Sequence, residues 1–488
     1  MIGTPPPAVH FGGRTWSRDE LAALATGWHG DLVQQLGPAP PLLAVLMANH
    51  PESVALFFAL TSFPAPVILL GDDPRAWRST PPLPRDTPVA LSEASHHLAG
   101  SVAAIGCRPF TVSVARPAPR RPPPAPAFLA SPGLVAFTGG STGLPKPVYR
   151  SMASAVRHAA VVAEILALRP GAGIVGALPL SAFHGLGDTL LLATLLGGVL
   201  GLLPRFDHRS ALRLFATDRY RYLAATPMMI DVLARCPLTG PAPRAPALVK
   251  VGGGRLPASG FHAFLDRFGT PPRPAYGASE TGILTADVGP ADRVRPTAVG
   301  YAVPDVRIAI GDRPEAPVPA GVPGRVWVST PRYMEGYGFP PALEPREGRS
   351  GWWPMRDRGV IDDAGYLTLL GRLDDAFKTP GGQLVDPTEV VDVIQRLPGV
   401  GEVVVLPLPD RTAWTVGAVV AGEPGLGPVQ VRWHAARLLP RWAQPQVVVV
   451  VERLPRLESG KVDREGCRTL LENTATAAAP LHGLRSAD

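Results

Sequence analysis

Apolar positions along the chain fall in short runs separated by polar, glycine and proline breaks. Leu42 to Met47 and Val67 to Leu70 read as strands with Pro51 to Thr61 as a helix between them, the alternation of a parallel α/β sheet. Arg116 to Pro132, with seven prolines, predicts an extended loop. It leads into a short strand, Leu134 to Thr138, and then a glycine-rich loop, Gly139 to Lys146. Ser151 is placed to cap an alanine-rich helix running to about Leu168. Further alternation continues to about Val328. From Gly371 the pattern changes: strands at Glu402 to Leu406, Val416 to Ala421 and Gln446 to Val451 surround a helix at Val429 to Leu439. The expectation is α/β, with a large N-terminal domain over 1–372 and a small α+β C-terminal domain over 373–488. Residues Asn473 to Asp488 are alanine-rich and read as a frayed end.

Composition narrows the function. The 488 residues are 46% hydrophobic and 18% charged, with 52 glycines and 59 prolines, which fits a folded, loop-rich protein long enough to bury a sizeable core. The net charge of +7 is modest for this length, and no basic run interleaves with aromatics, so nothing points to nucleic acid. Cys107, Cys236 and Cys467 are far apart and in no metal-ligand spacing, which argues against a disulfide framework or a zinc site. Met1 to Arg14 lacks the pattern of a secretory signal, and Leu190 to Leu203 is too short to span a bilayer. A soluble cytoplasmic protein is expected. Only four of the 47 basic residues are lysines: Lys146, Lys250, Lys378 and Lys461. A codon bias toward arginine accounts for the scarcity, and the four that remain are the first places to look for a compact ammonium on a flexible stem.

The strongest local signal is Thr138-Gly139-Gly140-Ser141-Thr142-Gly143-Leu144-Pro145-Lys146. Its glycines let the backbone turn tightly and present N–H groups, its hydroxyls add donors, and its lysine completes a cradle for phosphate oxygens. The spacing is not that of a Walker loop. The string resembles the phosphate-loop signature of the adenylate-forming superfamily, which includes acyl- and aryl-CoA ligases, stand-alone adenylation enzymes and luciferases; Gly139 departs from the usual serine. Six further segments resemble that superfamily in the same order, and the likeness runs from about Leu42 to Arg464.

The resemblance implies roles residue by residue. Pro179 to Gly187 is similar to the acyl-site segment, where His184 would wall the acid's carboxylate. In Tyr276-Gly277-Ala278-Ser279-Glu280-Thr281, Tyr276 would stack on adenine, Ser279 contact the α-phosphate and Glu280 hold Mg²⁺; Gly253, within Gly252-Gly253-Gly254, would let the base approach backbone. Gly351 to Gly359 is similar to the ribose-binding segment, with Asp357 accepting both ribose hydroxyls and Met355-Arg356 standing where Thr-Gly is usual. Gly371 to Lys378 resembles the hinge segment: Arg372 near the ribose, Asp374 as the pivot, Lys378 a further nucleotide contact. One extra residue lies between Lys378 and Gly382, in a loop that borders the thiol channel of relatives. Leu454 to Arg464 carries Lys461, which would bridge the carboxylate and the α-phosphate.

The chemistry implied is ATP-dependent activation of a carboxylic acid, followed by transfer to an acceptor. Coenzyme A comes first, with an acyl carrier protein's phosphopantetheine or a non-thiol nucleophile as alternatives and a luciferase-type oxidase more remote. Gly185 follows His184 where amino-acid-activating relatives carry an aspartate, which favours a fatty or aromatic acid; Asp188 nearby leaves an amino-substituted acid open. Lys250 has no role in this scheme.

Overall fold

The computed structural model describes residues 4–77, 80, 82–113, 127–138, 145–237, 248–296, 298–345, 348, 351–373, 375–379, 383–409, 414–457 and 462–478. Chain contacts divide the protein into two compact units. The first comprises Met1–Ile308, Val328–Trp353 and Gly365–Leu367, the second Ala309–Trp327, Pro354–Ala364 and Thr368–Asp488.

Two sheets build the first unit. One has eight strands, with Gly133–Phe137, Val67–Leu70, Leu43–Leu46, Pro88–Leu91 and Arg108–Thr111 running parallel. Antiparallel Pro147–Ser151, Gly336–Phe339 and Ala342–Pro345 complete it. Leu43–Leu46 and Val67–Leu70 are buried along their whole length, which is why they read as unbroken apolar runs rather than alternating ones. The other sheet has nine strands, with Arg273–Ala278, Leu248–Val251, Tyr220–Ala225, Gly173–Gly176 and Val199–Leu202 parallel at its centre.

Between these sheets runs the helix Met152–Ile165, which touches strands of both. Ser151 caps it as expected, accepting from the Ser154 backbone N–H at 3.3 Å. The helix ends short of Leu168 because Ala167 turns left-handed, with φ +47°. Leu190 to Leu203 proves to be several elements: a wide π-type turn over Leu186–Leu191, a helix Leu192–Leu196, a left-handed cap at Gly197 and the strand Val199–Leu202. Among the described residues no helix is long and apolar enough to cross a membrane.

The second unit shows the period of two directly. Its sheet consists of Val400–Pro409, Trp414–Gly422 and Val447–Val451. Val403 and Val405 pack with the helices Pro387–Ile394 and Pro428–Leu438, while Val404, Leu406 and Leu408 face Cys467 and Leu471. Those last two residues belong to a helix, Arg464–Ala478, so the end expected to fray at Asn473 is helical through Ala478. Burying Cys467 and Leu471 against the sheet anchors it; 479–488 lie outside the described residues. A further sheet, in the order Arg307–Ile310, Gly324–Ser329, Trp353–Ile361, Leu367–Arg372, lies largely in the second unit. All three cysteines are free and buried.

Candidate active site

The glycine-rich loop joins antiparallel strands Gly133–Phe137 and Pro147–Ser151. Gly139 to Leu144, including Gly140, Ser141, Thr142 and Gly143, lie outside the described residues, as do Asp374, Gly382 and Lys461 and the side chain of Lys378. Most of the proline-rich segment predicted as a loop, 116–126, is likewise outside them. The base of the glycine-rich loop is described. Thr138 N donates to Lys146 O and Lys146 N to Thr138 Oγ1, both at 2.9 Å, so the two ends of the loop are tied together.

From that base the Lys146 ammonium reaches over the Tyr337 ring, 5.0 Å from its centroid. Strand Gly336–Phe339 lies beside Pro147–Ser151, with Tyr337 opposite Val148, and this pairing brings the ring there. The Tyr337 hydroxyl donates to Glu280 Oε1 at 2.9 Å. Glu280 stands in the tight turn between Arg273–Ala278 and Gly282–Ala286, where the Thr281 hydroxyl accepts from Ala278 N at 3.3 Å. Its carbonyl accepts from Met334 N at 2.7 Å. Lys146, Glu280, Ser279, Tyr276 and Gly277 are thus gathered by one hairpin turn and one loop base. Gly277 is required by space: a Cβ there would sit 2.3 Å from the Gly282 carbonyl oxygen. Tyr337 is a residue sequence reasoning missed; its signal would have been strand pairing, which no local pattern carries.

The second cluster forms at the carboxyl ends of the parallel strands, where open α/β sheets bind ligands. Gly252 N donates to Ala225 O at 3.0 Å, and Gly253 follows with φ +79°. A Cβ on Gly252 would lie 3.4 Å from His184 Cε1, so the imidazole edge rests on this turn. His184 Nε2 is 3.1 Å from Asp188 Oδ2, and Lys250 Nζ is 2.7 Å from the same oxygen. His158 Nε2 lies 3.0 Å from Asp188 Oδ1. Burial alone would raise the Asp188 carboxyl, but Lys250 and the two histidines outweigh it and hold it well below the ordinary carboxylate range. Asp188 is fully buried and committed to these three partners, so the idea that it could anchor an amino group of the acid does not hold.

Arg150 is a further cation here, buried 5.1 Å from the Phe183 ring and bonded to Ser154. Burial and the neighbouring Arg332 push its pKa down to about 10. Asp357 and Arg372 belong to the second unit, on adjacent strands Trp353–Ile361 and Leu367–Arg372, and Lys378 ends a two-residue strand of that unit.

The sequence pattern of the AMP-binding enzyme family matches residues 5–338, and that of the AMP-binding enzyme C-terminal domain matches 389–461. The chain belongs to that family. It is 30% identical over 349 residues, 70% of either chain, to a feruloyl-CoA synthase of Amycolatopsis. It is 27% identical over 347 residues to the indoleacetate–CoA ligase of Aromatoleum aromaticum, covering 70% of this chain and 68% of that one. ATP-bound MatB from Rhodopseudomonas palustris shares the fold, with a TM-score of 0.80 and 24% identity over 96% of this chain and 97% of that one. The adenylate-forming resemblance read from the motifs is therefore correct, and so is the two-part α/β architecture.

Proposed function

We propose that this chain activates an aromatic or fatty carboxylic acid with ATP, releasing pyrophosphate, and transfers the acyl group from the adenylate to coenzyme A. The observation that carries this is the convergence of Lys146, Tyr337 and Glu280 beside the tied base of the glycine-rich loop. Relatives named for ferulate and indoleacetate support an aromatic acid and CoA as acceptor.

The first step sets an anionic carboxylate against the α-phosphorus of a polyanion. Two unit charges about 4 Å apart interact by roughly 4 kcal/mol at an effective dielectric near 20, so placing cations decides the barrier. Lys146, at the loop base, would serve the phosphates, and Lys461, by resemblance, would bridge the acid and the α-phosphate. Glu280 is the carboxylate for Mg²⁺. Among the described residues no group of three or more metal-ligating side chains exists, and a single carboxylate suits an ion that takes its remaining ligands from phosphate and water. Bound there, Mg²⁺ supplies charge neutralisation of the phosphate oxygens. Tyr337 holds Glu280 in place through Oε1, and Glu280 would hold the ion. Tyr276 and Gly253 serve the adenine, Thr138, Gly140, Ser141, Thr142, Gly143 and Ser279 the phosphates, and Asp357 and Arg372 the ribose, with Lys378 a further contact. Then the CoA thiolate attacks the acyl carbonyl, the C–O bond to AMP breaks, and AMP leaves. Asp374 is the pivot between the two half-reactions.

Pyrophosphate exchange across a panel of acids tests the reading, and release of free acyl-CoA separates CoA from a carrier protein. Lys461→Ala should abolish exchange yet spare thioester formation from supplied acyl-adenylate. Equal loss of both, or no exchange with any acid, would overturn it.

A further inference from the structure

The polar cluster around Asp188 is wider than an acid site needs. Lys250 is 3% exposed and His158 6%, and only His184, with 26% of its side chain exposed, joins them to the glycine turn. The Tyr222 hydroxyl, near enough for the Asp188 charge to raise it further after burial, has no hydrogen-bond partner. An ion pair at such depth is generally no better for folding than apolar residues of the same volume. Asp188 also sits in the π-type turn Leu186–Leu191, a distortion that in other helices marks functional positions.

We propose that Asp188 and Lys250 are positioning residues that fix the tautomer and ring plane of His184; this rests on His184 walling the acid site. Ile283 N donates to His158 Nδ1 at 3.1 Å, so the single proton of that ring is on Nε2 and is donated to Asp188 Oδ1. Oδ2 then serves His184 and Lys250 together. Two contacts compete for His184 Nε2: a proton there faces Oδ2 at 3.1 Å, whereas the Lys250 ammonium at 3.5 Å can only donate and would need the lone pair. The shorter contact, and the 2.7 Å engagement of Lys250 with Oδ2, favour the proton on Nε2 and the lone pair on Nδ1. Lys250 balances the carboxylate, so Asp188 orients the imidazole without drawing a second proton onto it. Its ammonium lies 3.5 Å from His184 Nε2, opposing a cation on that ring. Carboxylates orient metal-ligating histidines in this way, where their loss costs about 10- to 100-fold, and the same range is expected for His184.

The test compares Asp188→Asn with Asp188→Asn/Lys250→Met by thermal unfolding, acid-dependent pyrophosphate exchange and ¹⁵N-histidine NMR. The single variant strands a buried ammonium and melts earlier; the double variant recovers the melting temperature. In the double variant, exchange kcat is expected to remain about 10- to 100-fold below the parent, with the KM for ATP unchanged. Its His184 signal, assigned by difference with His184→Gln, should show mixed tautomers where the parent shows Nε2–H alone. Recovery of turnover along with stability would make the pair purely structural and overturn the proposal. So would a parent His184 carrying its proton on Nδ1. The tautomer is read without substrate, so it decides the positioning role even if the double variant does not fold. Absence of exchange in the parent would instead sink the acid-activating function.

Discussion

Two lysines of the first unit meet opposite fates. Lys146 is exposed, stacked over Tyr337 beside a carboxylate that it does not neutralise by direct contact. Lys250 is buried against Asp188 at 2.7 Å, its charge matched inside the protein. A charge in water is cheap to keep and free to meet a ligand, whereas a charge in the interior is tolerated only when matched. The first lysine can therefore serve phosphates, while the second is committed to shaping its neighbours. Loss of the first should cost activity alone, whereas loss of the second should cost stability as well.

That contrast can be broken most directly at Lys250. Lys250→Met should cost about 3–5 kcal/mol of unfolding free energy by leaving the Asp188 carboxylate buried without its cation. A denaturant midpoint close to the parent's would show that Asp188 is solvated and the contrast false. Lys146→Met should leave that midpoint unchanged while pyrophosphate exchange falls about 100-fold; a matched loss of stability would mean that Lys146 too is structural. Tyr337→Phe removes only the hydroxyl that donates to Glu280 Oε1, and about a tenfold fall in exchange is expected, with a raised Mg²⁺ requirement. An unchanged Mg²⁺ dependence would detach Tyr337 from the metal ligand.

The smallest effect lies in pH. Burial pushes the His158 imidazole below its ordinary value, with the Asp188 hydrogen bond pushing back. The unfolded chain therefore binds the proton more readily than the folded one. Stability from this residue is present above the unfolded value near 6.5 and is lost as pH falls below it. Asp188, with its folded value depressed, contributes nothing to that loss until far more acid conditions. His158→Gln keeps a donor for Asp188 and an acceptor for Ile283 N, so the acid-side slope of stability between pH 7 and 5 should flatten. A slope equal to the parent's would assign it to the half-buried histidines His29 and His50.

Strands Leu43–Leu46 and Val67–Leu70 and the helix from Ser151 were legible because burial and capping leave local traces. The helix ending at Ala478 was not, because alanine-rich sequence is neutral between helix and coil until Cys467 and Leu471 meet the sheet. Lysine scarcity flagged Lys250 but gave it no partner. Asp188, four residues after His184, lay in plain view with the wrong role suggested for it.

The sequence alone determined the chemistry on offer: a glycine-rich loop with its lysine, a carboxylate in a tight turn and an ordered set of segments, since loops and turns are specified by the residues within them. Tertiary structure alone decided which charges meet. Tyr337 reaches Glu280 across 57 residues, Lys250 reaches His184 across 66, and His158 takes the Ile283 N–H across 125. Such contacts follow from strand order and helix packing, and their strength from the water excluded around them, neither of which is written at any one position.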